Sequence, residues 1–120
     1  MNINYNEPFM LGVQFHSAYH SLFTLRVQDK RLVQFRKKLH DAIQNKVYPK
    51  LTEAERAIIT NAQYAVDLTI RHALSCKHVA GSNPNEYKWT IMFIVDDYDI
   101  LSLPHEQFME KLEQELHQLN

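Results

Sequence analysis

His16 and His20, in the segment HSAYH, stand four residues apart, the spacing that places two imidazoles on one helical face where they could ligate a metal ion. Such a site needs at least a third ligand. The other histidines, His40, His72, His78, His105 and His117, are scattered, with no HExxH or paired-carboxylate motif beside them. Asp96, Asp97 and Asp99 follow an apolar run in IVDDYDILSL, where three carboxylates could hold a divalent cation through oxygen. At 120 residues the chain offers no other part of a two-metal enzyme, so an acidic loop or helix approach is the favoured expectation there. Cys76 is the single cysteine, which excludes an intrachain disulfide or Cys-based zinc site and reads as a small buried hydrophobe.

Arg36 and His105 each fall within the apolar arc of the helix that would carry them. A half-buried guanidinium needs an acidic partner or must reach the edge with its tip. Pairing of Arg36 with a C-terminal acid is favoured over a role in holding a ligand carboxylate or phosphate. His105 reads as a packed or capped histidine rather than a general base. Only two glycines are present, Gly12 and Gly81, so no Walker loop or dinucleotide fingerprint can be written. The expectation is no cofactor, no metal and no catalytic residue.

Charge is the strongest signal. From Arg26 to Lys50, eight basic residues stand against two acids, a net +6; from Met92 to Asn120, seven acids stand against one lysine, a net −6. The formal total of −1 conceals this polarity. Charge separated in this way steers association with charged surfaces.

The elements that must carry these groups follow from periodicity. Thr52 and Glu55 form a capping box, and Ile58, Ala62, Ala65, Val66, Thr69 and Ala73 share one face, which predicts a central helix over 53–75. Leu32, Phe35, Leu39, Ala42, Ile43 and Val47 predict a helix over about 30–47, followed by a turn at Pro49. Phe108, Met109, Leu112, Leu116 and Leu119 predict a third helix over 103–119, capped by Ser102 with Pro104 in its first turn. Residues 76–87 collect Gly81, Ser82, Asn83, Pro84 and Asn85 and read as a loop.

Residues 88–95, KWTIMFIV, are rich in β-branched and aromatic side chains and read as a buried strand. The stretch 9–27 fits a helix and alternating strands equally well. Because a strand must find hydrogen-bond partners, part of 9–27 is expected to pair with 88–95. The predicted fold is therefore α+β and helix-dominated: three amphipathic helices and a small sheet in one domain, 1–120.

The chain lacks a signal-peptide pattern at its start and any apolar run near the roughly 20 residues that a membrane span requires. With one cysteine, this points to a cytoplasmic location away from membranes. The function class that fits is a non-enzymatic protein-binding module, of the small inhibitor, immunity or anti-defence type, docking a larger protein partner. The expected partner-binding residues are Lys30, Arg31, Arg36, Lys37 and Lys38 on the basic side and Glu106, Glu110 and Glu113 on the acidic side. The same polarity suits a homodimer. The alternative is a nucleic-acid-binding accessory protein that contacts phosphates through the basic helix of 26–50.

Overall fold

A computed structural model describes residues 8–75 and 84–118, and among them there is no strand. Six helices follow in order: α1 (Pro8–Leu25), α2 (Lys30–Asn45), α3 (Glu53–Ser75), α4 (Pro84–Val95), α5 (Tyr98–Leu101) and α6 (His105–His117). The long α3 is the hub. It packs against α1 on one side and against α4, α5 and α6 on the other, while α2 lies on α1.

This overturns the α+β expectation, and both proposed strands are helical. Within 9–27, Phe15, Ala18, Leu22 and Leu25 recur at helical spacing and are buried. The apparent alternation came from Val13 and Phe23, apolar residues that the helix leaves exposed. Residues 88–95 belong to α4, whose buried Ile91, Ile94 and Val95 sit at i, i+3 and i+4. Trp89 and Phe93 occupy the opposite face, so the segment is apolar all round and no period stands out. Pro84, at the first helical position, starts α4 four residues before the apolar run, and the resulting 12-residue helix holds its residues despite their β propensity.

The loop expected over 76–87 thus loses Pro84 to Tyr87 to α4, while Cys76 to Asn83 lie outside the described residues. The final helix starts later than expected, at His105 with Pro104 at its N-cap, and Ser102 instead closes the short α5. Its end at His117 leaves Leu119 outside the described residues.

The remaining boundaries have local causes. Thr52 and Glu55 form the expected reciprocal cap, with the Thr52 amide donating to Glu55 Oε1 at 2.9 Å and the Glu55 amide to Thr52 Oγ1 at 3.1 Å. Asp29 caps α2 by accepting from the Arg31 amide at 2.8 Å. Lys46, in the left-handed region at φ 55°, ends α2. Gly12 lies beneath Tyr48: a Cβ there would meet the Tyr48 hydroxyl at 3.0 Å, so glycine lets that ring reach α1, where it packs edge-on to Phe15.

One buried polar side chain organises the far end of α3. Asn61 is fully enclosed, and its Nδ2 donates to the carbonyls of Leu101 at 2.7 Å and Leu103 at 2.8 Å. Its Oδ1 lies 2.8 Å from His105 Nδ1, which must then carry the proton. The α5–α6 turn is thereby fastened to α3. His105, edge-on to Tyr64, is a packed histidine at a helix start.

Candidate functional site

The three aspartates after α4 are held by the chain itself. Asp96 Oδ1 accepts the backbone N–H groups of Gln28 and of Asp29, the latter at 2.8 Å. Asp97 accepts from the Asp99 amide at 2.9 Å and the Ile100 amide at 3.4 Å, capping α5. Asp99 receives both terminal nitrogens of Arg31, at 3.1 and 3.4 Å. In return, Asp29 Oδ2 accepts the Tyr98 amide at 3.3 Å, and the Arg31 guanidinium lies 4.6 Å over the Tyr98 ring.

Loss of water around Asp29 raises its carboxyl pKa. The amides of Arg31, Tyr98 and Leu32 and the nearby guanidinium outweigh this and hold it below the ordinary value. The hydrogen bonds to Asp99 raise Arg31 further. These contacts clasp the start of α2 to the α4–α5 turn. Of the carboxylate oxygens there, Asp96 Oδ1 and Asp97 Oδ1 accept backbone amides, and both Asp99 oxygens accept from Arg31.

His16 and His20 do share a helix, and both are exposed. No third histidine, cysteine or carboxylate joins them among the described residues.

The basic block divides around α2. On one flank Lys38 Nζ meets Glu55 Oε2 at 2.8 Å, and Arg31 is committed to Asp99. Burial pushes the Glu55 carboxyl up, but Lys38 and the Thr52 amide bring it below its usual range. On the other flank Arg36, Val33, Lys37 and Lys30 follow one another around the helix. Lys30 and Lys37 are exposed and form no ion pair among the described residues. Arg36 forms no ion pair with a C-terminal acid among the described residues. Its guanidinium lies 5.9 Å from the Phe23 ring, which is 59% exposed and stacks on Tyr19. Tyr19 in turn leans on His40 of α2. Glu106, Glu110 and Glu113 are exposed along α6.

A second surface had no counterpart in the sequence reading. The outer face of α4 presents Trp89, 74% exposed, and Phe93, 83% exposed, between two adjoining clefts. The first, of about 360 Å³, reaches Val66, Thr69 and Ile70 of α3 and carries Arg26 and Lys88. The second, of about 540 Å³, runs to Asp96, Asp97 and Asp99. Its signal in the sequence was an apolar run with no helical period.

No helix among the described residues is long and apolar enough to cross a membrane. Comparison with protein-family models, with curated proteins and with solved structures returns no match.

Proposed function

We propose that this chain is a non-enzymatic protein-binding module of the small inhibitor, immunity or anti-defence type. It docks an acidic surface of a larger protein through the α1–α2 face. The observation that carries this reading is Phe23, more than half exposed, with the Arg36 guanidinium 5.9 Å from its ring on the flank of α2 that also carries Val33, Lys37 and Lys30. An aromatic ring and an arginine within a basic rim are the residue types that dominate binding energy at protein interfaces, and the free lysines steer encounter. Arg31 and Lys38, engaged with Asp99 and Glu55, are left to stability. The single cysteine is consistent with action in a reducing, cytoplasmic compartment.

The test is recovery of the tagged protein from native-host lysate at low salt and again at about 0.5 M salt, where surface attractions are largely screened. A stoichiometric protein retained by the native chain and lost from Phe23→Ala/Lys37→Glu supports the proposal. Equal recovery by both chains overturns the assignment of this face. Recovery of nucleic acid that washes off with salt moves the function to phosphate contact by the basic helix.

A further inference from the structure

The outer face of α4 has a polarity that α2 does not explain. Its exposed or half-exposed residues run Glu86, Lys88, Trp89, Thr90, Met92, Phe93 and, just past the helix end, Asp96, with Lys88 beside Glu86 at one end, an acid at the other and a largely apolar middle. Arg26 joins Lys88 there, and the two cations outnumber Glu86. At the acidic end Asp97 and Asp99 outnumber Arg31. Lys88 precedes Met92 by four residues and Asp96 follows it by four, each about 6 Å along the helix axis.

We propose that this face is the contact between two copies of this chain, with the two α4 helices antiparallel about a two-fold axis at Met92. A two-fold contact is self-complementary only if each end of the patch matches the opposite end, and this patch does so in charge. Lys88 and Arg26 of each copy come to Asp96 and Asp97 of the other. Asp96 Oδ1 holds the Gln28 and Asp29 amides, Oδ2 has no hydrogen-bond partner among the described residues, and Asp96 lines the second cleft.

Trp89 and Phe93 insert beside the crossing, each toward the other copy's clefts. At the roughly 150–250 Å² that such side chains offer, their exposed parts supply roughly 300 Å² per copy. A standard interface needs roughly 800 Å² per partner, and Met92, Ile70, Thr69 and the charged ends extend the patch toward it. The surface is separate from the α1–α2 docking face, so either proposal can fail while the other stands.

Trp89 is the chain's single tryptophan, and its fluorescence reports this contact directly. Sedimentation velocity from about 1 to 100 µM should show the mass rising from 14.2 kDa to twice that value, with the Trp89 emission moving to the blue over the same range. Lys88→Glu should weaken the dimer at least tenfold, and Phe93→Asp should leave a monomer. In a Cys76→Ser background, Met92→Cys should form a disulfide-linked dimer on mild oxidation, and Val13→Cys, exposed on α1, should not. A chain still monomeric at 100 µM overturns the proposal. So does a dimer whose Trp89 emission is unmoved by concentration, or one in which Met92→Cys does not cross-link.

Discussion

Asp96 and Asp29 hold each other's neighbourhoods in place. Asp96 Oδ1 accepts the Asp29 amide at 2.8 Å, and Asp29 Oδ2 accepts the amide of Tyr98, two residues beyond Asp96, at 3.3 Å. Each carboxylate thus closes a turn that the other's segment begins. With Arg31 bridging Asp29 and Asp99, the acidic and basic blocks meet in one clasp between the start of α2 and the α4–α5 turn. The charge of both segments serves the fold first at this point.

Removing the Asp96 carboxylate therefore frees two amide donors at the start of α2. Asp96→Ala should lower the unfolding free energy by about 1–3 kcal/mol, read from urea denaturation with an unchanged m-value. A loss below about 0.3 kcal/mol would show that the clasp carries no stability.

Asn61 makes a sharper case, because it is itself fully buried. Asn61→Leu keeps the volume but strands the Leu101 and Leu103 carbonyls and the His105 Nδ1 proton, at a cost of about 3 kcal/mol. Amide exchange should speed up first at α5 and the start of α6, where the fastening is lost. Uniform acceleration across all six helices would contradict its local role.

The Asp29 and Glu55 carboxyls both lie below their ordinary pKa in the folded state. Such a group takes up its proton more readily in the unfolded chain. Its contribution is therefore complete above the unfolded value, about 4, and is lost as pH falls through the lower folded value. Unfolding free energy measured from pH 7 down to pH 3 should be steady to about pH 5 and then decline. Glu55→Gln should show a shallower decline. The same slope in both chains would remove Lys38 and Thr52 as its cause.

Lys30 and Lys37 differ from Arg31 and Lys38 in having no ion pair among the described residues. Lys30→Glu/Lys37→Glu should change stability by no more than about 0.5 kcal/mol, while slowing association with an acidic partner about tenfold at low salt. Lys38→Glu should do the reverse, destabilising the fold by juxtaposing like charges at Glu55. Thermal melts beside association rates at two salt concentrations separate the two classes.

The sequence by itself determined what depends on neighbours along the chain. The Thr52 and Glu55 cap, the core stripes of α2, α3 and α6 and the central place of α3 follow from short-range spacing. That spacing also put His16 and His20 on one helical face once α1 proved helical. Tertiary structure alone decided three other things. It decided that α1 and α4 are helices, since Val13, Phe23, Trp89 and Phe93 are apolar without being core and so erase the helical period. It decided which charges are spent, because Arg31 and Asp99 stand 68 positions apart and only folding brings them together. It also decided where an exposed apolar face remains, because a side chain's hydrophobicity does not state which side of its helix the rest of the chain will cover.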